Sequence, residues 1–410
     1  MARFDRPDEA AAFAARFELN SPPPDFVDDP YPYYRALREH ASVRTLEGGS
    51  LFLTAYDDVA SLYRSSAASS DKKREFLPKF GRSPLYEHHT TSLVFNDPPL
   101  HTRVRRLIMG ALSQRSVVRM EAGVVALVDG LLDTMQQRGR FDLIEDFAAA
   151  IPVEVIGNLL AVPRNERGPL RGWSLAILAA LEPVPTPAML DAGNAAVREF
   201  SAWLDELIAE RRRHPLDPDE DVLTRLILGE QGGERLTQAE LVHNCIFLLN
   251  AGHETTSNLI GNGVDALLRH PDQLQRLQRE PQLINTAIEE MLRFESPLQF
   301  NNRCLTASTP IGKKLAPAGT LVTMCIGAAN RDAAQFADPD RFDIGRKPNR
   351  HLAFGHGDHA CVGMSVARME GRIASGRLVA RFPGLRRDGE PERDRRLRFR
   401  GFRRLPACTG

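Results

Sequence analysis

A ten-residue stretch, Phe354-Gly355-His356-Gly357-Asp358-His359-Ala360-Cys361-Val362-Gly363, constrains this chain more than any other feature. Glycines at 355, 357 and 363 flank a single cysteine. Glycine lets a backbone turn through conformations closed to other residues and approach something flat or bulky. A run suited to a helix follows, Met364 to Val379, so Cys361 sits just before a helix N-terminus. There the helix dipole and unpaired N–H groups favour thiolate over thiol. A thiolate held this way can bind a metal or act as a nucleophile. For a lone cysteine, the plain reading is a glycine-rich turn around a buried thiol. A third reading is zinc on His356, His359 and Cys361, although no fourth ligand stands at zinc spacing.

Charge and cysteine usage narrow the setting. The 53 basic and 53 acidic residues cancel, so overall charge points to no nucleic acid. Five cysteines, at 245, 304, 325, 361 and 408, are odd in number and make no disulfide framework, so a reducing cytoplasm is expected. Residues 1–20 carry Asp5, Asp8, Glu9 and Glu18 and lack the apolar segment of a signal peptide. No window reaches about 18 consecutive apolar residues, so no membrane anchor or span is expected. With no internal repeat or low-complexity tract, residues 1–410 read as a single domain, mainly α with a small β region.

Read in order, the chain is a series of helices. Tyr31 to His40 and Tyr56 to Arg64 read as helices around a hairpin from Val43 to Thr54, which turns at Gly48-Gly49. Residues 65–93 read as a long polar, irregular loop. A helix is expected from His101 to about Arg115, with Leu100, Val104, Leu107 and Ile108 as its apolar stripe. His101 and Arg105 share one face of it. Residues 100–120 hold Arg103, Arg105, Arg106, Arg115 and Arg119 and no acid, a patch that steers an acidic partner. Glu121–Gln137, Asp146–Leu160 and Ala188–Arg213 read as further amphipathic helices. Residues 163–187 read as interrupted helix, and Gly229–Glu234 as a turn.

Thr237-Gln-Ala-Glu240 is a capping box. It opens a helix able to run to about Arg269, roughly 48 Å at about 1.5 Å per residue. Its middle, Cys245 to Leu249, is apolar on all sides and so expected to be buried. Then come Asn250, Ala251, Gly252, His253, Glu254, Thr255 and Thr256. Glycine and threonine are poor helix formers, and a threonine hydroxyl can bond the i−4 carbonyl and bend the helix. Leu283–Phe294 is another helix, with Glu290 and Arg293 at i, i+3.

Taken together, these stretches resemble the cytochrome P450 family. The pattern Phe-Gly-x-Gly-x-His-x-Cys-x-Gly matches the family's haem-ligand loop at all six fixed positions, Phe354, Gly355, Gly357, His359, Cys361 and Gly363. Ala251-Gly252-x-Glu254-Thr255 resembles its central-helix motif. Glu290-x-x-Arg293 resembles its buried structural pair, and Ala329-Asn330-Arg331-Asp332 a further signature. The resemblance implies the P450 fold, with haem b between the long central helix and the cysteine loop. Cys361 is then the proximal thiolate ligand of the iron. His101, Arg105 and Arg303, with His351 and His359, become contacts of the haem propionates. Phe247, Asn250, Ala251, Leu298 and Gln299 line the substrate pocket, with Asn250 and Gln299 as its polar groups. Ala251 and Gly252 leave room for oxygen, and Glu254 and Thr255 deliver protons to it.

The implied function is monooxygenation. One atom of O2 enters a small, largely apolar substrate, by hydroxylation or epoxidation. The sequence holds no flavin or reductase segment, so electrons are expected from a separate ferredoxin and ferredoxin reductase, docking on the arginine-rich helix of a monomer. Two rivals are a hydrogen-peroxide-driven peroxygenase and a non-enzymatic haem or small-molecule binder. The first usually lacks the acid–alcohol pair that Glu254 and Thr255 supply here.

Overall fold

Thr237 opens the longest helix among the described residues. Its hydroxyl accepts from the Glu240 N–H at 3.2 Å, and the Glu240 carboxylate accepts from the Thr237 N–H at 2.8 Å. The expected capping box is therefore closed in both directions. The helix runs over Gln238–Arg269, 32 residues, and stops at His270, whose backbone leaves the helical region ahead of Pro271. The structure, a computed structural model, describes residues 4, 6–112, 114–218, 221–229 and 235–410. Apart from Gly229, the expected turn at 229–234 lies outside them.

The helices that frame the central one are α1 (Lys73–Phe80), α2 (Pro84–Thr91), α3 (Leu100–Ala111), α4 (Gln114–Arg138), α5 (Ala150–Leu159), α6 (Leu170–Ala179) and α7 (Pro187–Arg213). The central helix is α8, followed by α9 (Ile284–Phe294) and α10 (Met364–Arg381). One sheet holds β1 (Val43–Thr45), β2 (Leu51–Leu53), β3 (Ala68–Ser69), β4 (Phe300–Leu305) and β5 (Leu321–Cys325), in the order β1-β2-β5-β4-β3. The β1–β2 hairpin turns at Gly48 and Gly49, both at positive φ, as expected. No described helix is long and apolar enough to cross a membrane.

Most of α8 is buried, including Leu241 to Ile246, Leu248 to Asn250 and Thr256 to Leu267. Its N-terminal half packs with α2, α3, α6 and α7 through Leu85, Val104, Ile177, Phe200 and Leu249. Its C-terminal half contributes Leu259 and Leu267 to a cluster with Ile288 and Met291 of α9. Apolar surface removed from water contributes roughly 25 cal/mol per Å². A helix buried this deeply is thus held by packing rather than by propensity, and tolerates Gly252, Thr255 and Thr256 in its interior.

Three segments differ from the sequence-based expectation. Residues 65–93 are not an irregular loop: they form β3, α1 and α2. The helices are short and their sequence polar. Only the burial of Phe76, Phe80, Leu85, His88 and His89 gives them a defined face. The helix expected to reach Arg115 ends at Ala111, and α4 restarts at Gln114, so Arg115 and Arg119 belong to the next helix. The segment expected from Asp146 begins as a π-turn over Ile144–Ala148 before α5.

Candidate functional site

The cysteine loop is closed by its own backbone. Cys361 N–H donates to the Phe354 carbonyl at 2.9 Å. Gly355 and Gly357 sit at φ +65° and +72°, and a Cβ on Gly357 would approach the Tyr63 carbonyl oxygen to 2.6 Å. Both positions therefore need glycine. Phe354 lies under the guanidinium of Arg368 on α10, 4.7 Å from its ring centre. Arg368 grips Glu289 with two bonds of 2.7 and 2.8 Å. Cys361 is enclosed by protein yet keeps open surface, so its sulfur faces an internal void. Burial pushes its thiol up from the usual range, against the Gly363 N–H, Arg105 and Arg368. The helix N-terminus expected to favour thiolate is thus outweighed by burial, and a cation facing the sulfur would reverse the balance.

A strip of α8 opens to that kind of space. Phe247, Ala251 and Thr255, spaced by four on one face, keep open surface, while Leu249, Asn250, His253, Glu254 and Thr256 are buried. Phe247 and Val362, the neighbour of Cys361, pack on the same apolar cluster. Gly252 has a different role from the one expected. A Cβ there would meet the Ile156 side chain at 2.8 Å, so glycine serves close packing of α8 on α5. The Thr255 hydroxyl donates to the Ala251 carbonyl at 2.7 Å, leaving its lone pairs free to accept.

Glu254 is 2% exposed and pairs with Arg396, which also holds Asp394. Burial pushes its carboxyl up to about 7; Arg396 draws it back, while Asp394 and Glu182 oppose that. Near neutrality this group can both give and take a proton. Asp394 is partly exposed, so the chain Glu254–Arg396–Asp394 runs from the interior toward water. Sequence reasoning missed Arg396 and Asp394, which sit in an arginine-rich run, residues 393–404, with no local sign of where it folds. Behind Thr256, burial pushes the Glu370 carboxyl of α10 up to about 8, eased by the Thr256 hydroxyl.

Four of the five expected propionate contacts come together. The His101 ring lies against the His359 ring, centroids 3.9 Å apart, and neither His101 nitrogen has a hydrogen-bond partner. Arg105 donates to the Ala360 carbonyl at 2.7 Å. Arg303, 6% exposed, donates only to Asn302 O and Asn301 Oδ1. Burial lowers His101, and burial with His101, Arg303 and Arg105 drives His359 down to about 3. Among the described residues, no carboxylate reaches ion-pair distance of Arg303 or Arg105. Two guanidiniums and two imidazoles beside a cysteine-lined void fit a flat ligand bearing carboxylates, as haem does.

Three expected positions are committed elsewhere. His351 is the fifth propionate candidate. Its Nε2 is 3.1 Å from Glu289 and its Nδ1 takes the Ala353 N–H, so the ring locks the loop instead. Burial would raise Glu289, but His351 and Arg368 outweigh it and hold the carboxyl at about 2. Gln299 donates to Ser296 O at 2.7 Å and accepts from the Tyr34 hydroxyl at 2.9 Å, so it is no pocket group. Its neighbour Leu298 keeps open surface beside Phe399. The third is the zinc set. Among the described residues, His356, His359 and Cys361 form no group able to hold a metal by protein ligands alone. Asn250 is buried with its Oδ1 unpartnered. A surface cavity of about 310 Å³ lined by Met120, Val124, Leu159 and Val222 touches none of these residues.

Comparison with known proteins agrees with this geometry. The family model described as Cytochrome P450 matches residues 173–399. The chain is 39% identical over 400 residues to "Cytochrome P450 107B1" of Saccharopolyspora erythraea, covering 94% of this chain and 96% of that protein. It is 39% identical over 394 residues to the vitamin D(3) 25-hydroxylase of Pseudonocardia autotrophica, covering 94% and 95%. The crystal structure of P450BioI in complex with hexadec-9Z-enoic acid ligated acyl carrier protein matches with a TM-score of 0.89 at 34% identity, covering 94% of this chain and 99% of that one.

Proposed function

The chain belongs to the cytochrome P450 family, and on that premise we propose that it inserts one atom of O2 into a small, largely apolar substrate, using electrons from a separate ferredoxin and its reductase. It is an oxygen-incorporating oxidoreductase of the haem b, thiolate-ligated type. The bound haem supplies the iron at which oxygen is activated. The observation that carries the reading is the open strip Phe247–Ala251–Thr255, backed by a buried carboxyl that titrates near 7.

Each residue has a role in this reading. Cys361 is the thiolate ligand. His101, Arg105, Arg303 and His359 hold the haem carboxylates. Phe247, Leu298 and Phe399 give an apolar wall to the substrate and exclude water. The Thr255 hydroxyl, already donating to the Ala251 carbonyl, accepts from a water and holds it on the open face of α8. Glu254 passes it a proton and takes one back from water, while Arg396 stays protonated and, with Asp394, ties the carboxyl to the partly exposed edge of the site. Arg106, Arg115 and Arg119, all exposed, give the electron donor a cationic landing surface.

The test is product formed per electron consumed, Thr255→Ala against the parent. Loss of the water-holding hydroxyl leaves substrate binding and reduction intact but diverts electrons to peroxide. Positioned proton transfer contributes about 10²–10⁴-fold, so coupling falls steeply. Coupling as tight as in the parent refutes the role of Thr255. Full activity with peroxide alone, and none with ferredoxin, replaces the monooxygenase reading with the peroxygenase one. A spectrum that shifts with ligand, but no product with any reductant, leaves a binding protein.

A further inference from the structure

The segment Arg396-Leu397-Arg398-Phe399 runs from Glu254 of α8 to the turn before β4. At one end Arg396 holds Glu254; at the other Phe399 pairs with Leu298 across an isolated bridge. The loop between α6 and α7 is tied to this segment. The Glu182 carboxylate accepts the N–H groups of Leu397 and Arg398 at 2.8 and 3.2 Å. Between the fixed ends the Arg398 side chain points inward, to Leu181 O at 2.9 Å, Phe300 O at 3.4 Å and Asn302 Oδ1 at 2.9 Å. Asn302 and Phe300 share strand β4 with Arg303 of the cationic cluster.

Arg398 therefore stands between the acid of α8 and the Arg303 cluster. Protein surrounds it on all sides, yet it keeps open surface, as Cys361 does. A guanidinium has five N–H donors, and three are engaged here, all with neutral oxygens. Among the described residues, no carboxylate lies at ion-pair distance from it. Glu182 and Glu75 act on it only at longer range, so its burial stays costly, and the cost falls when an anion arrives. Lys79, bonded to Glu182 O at 2.7 Å, is a second cation nearby without a carboxylate of its own, while Lys72 is neutralised by Glu75 at 2.6 Å. Lys79 and Arg398 against Glu182 leave one net positive charge, which matches a monoanion better than a phosphate dianion. Apolar groups stand to either side: Phe247 and Val362, which pack on one cluster, and Leu298, which pairs with Phe399.

We propose that Arg398 anchors the substrate by an acidic group, and that the substrate is an apolar molecule bearing one terminal carboxylate. The planar fork of arginine suits two-point binding of a carboxylate and fixes the direction of the molecule as well as its position. An apolar body then extends from Arg398 along the α8 strip, so the anchor decides which carbon reaches the reacting centre. This inference rests on reading the void above Cys361 as the substrate site.

The test uses the haem-loaded protein and three acid–ester pairs: dodecanoate, phenylbutyrate and abietate, each with its methyl ester. Binding is followed by calorimetry and by the shift in the haem absorption band, neither of which needs turnover. At least one acid is expected to bind about ten-fold or more tightly than its ester. That ratio falls to about one in Arg398→Gln. In Arg398→Lys, which keeps the charge but not the fork, it falls below the parent's while staying above one, and this decides the matter if Arg398→Gln does not fold. Esters that bind as well as acids in all three pairs overturn the proposal, as does an acid preference that survives Arg398→Gln undiminished. If no reductant yields product but the acid preference holds and depends on Arg398, the monooxygenase reading fails and the anchor stands.

Discussion

Removing Glu290 should unfold much of what the cysteine loop depends on. Glu290 and Arg293 are both 0% exposed. Arg293 donates to both Glu290 oxygens at 2.7 Å and to the carbonyls of Asn330, Pro339 and Arg341 at 2.9, 2.8 and 3.1 Å. Glu290 also receives Asp343 N–H, Arg346 and Asn349 at 2.9, 3.2 and 3.2 Å. A surface i, i+3 pair would contribute a few tenths of a kcal/mol, but a buried one behaves differently. Taking away one partner strands the other charge, at about 3–5 kcal/mol. Total stability of a domain is about 5–15 kcal/mol, so Glu290→Ala removes a large share of it. Arg293→Met adds the loss of the donor to the buried Asn330 carbonyl, at about 1–3 kcal/mol, and to the part-buried Pro339 carbonyl. The damage has a direction. Asn330, held through its carbonyl by Arg293, uses its side chain to receive the Leu352 N–H at 2.7 Å, two residues before Phe354. Denaturant unfolding followed by circular dichroism reads the stability. The absorption band of the reduced carbon monoxide complex reads thiolate ligation in the same samples. A Glu290→Ala loss below about 1 kcal/mol, with the thiolate band unchanged, would show that this pair does not support the loop and that the reasoning is wrong.

Three other outcomes are expected. Arg303→Ala removes a charge-assisted donor of about 1.5–3 kcal/mol, so haem should transfer to a scavenger protein about ten- to a hundred-fold faster; an unchanged rate removes Arg303 from the propionate set. Arg106→Glu, at an exposed guanidinium, should slow reduction by ferredoxin without altering substrate affinity, and reduction by the parent should slow as salt rises; a salt-independent rate contradicts electrostatic docking. Glu254 has a folded-state pKa raised from 4.5 to about 7, so its share of stability is intact below about pH 4.5 and is lost as pH rises through about 7. Glu254→Gln lacks that loss and should gain about 3 kcal/mol on the parent between about pH 4.5 and pH 8; parallel stability curves would place the Glu254 carboxyl in its ordinary range.

Much of this protein was legible where one stretch of chain carries its own constraint. The capping box at Thr237 and Glu240 closes within four residues, so it predicted the start of α8, and Pro271 predicted its end. Gly355 and Gly357 are required by the φ values of the loop they sit in, and the spacing from Phe354 to Gly363 carried the family with it. Glu290 and Arg293 were readable as a pair because one helical turn separates them, although only burial makes the pair strong.

Other features depend on segments that meet only after folding. Residues 65–93 looked irregular because helices as short as α1 and α2 are marginal alone, and contacts with α7 and α8 stabilise them. His351 and Gln299 looked available, and the fold gave them to Glu289, Ser296 and Tyr34. Gly252 looked like room for a ligand, and Ile156 fills its flank. Arg396 and Arg398 are two of many arginines in a polar run, and nothing local tells them apart. The tertiary structure sets one against Glu254 and the other into an enclosed void. The sequence therefore determined the central helix, the cysteine loop and the family, because backbone geometry and short spacings are local. Which buried charge faces which partner was left to the tertiary structure, because desolvation and Coulomb energies depend on everything packed around a group and not on its neighbours in the chain.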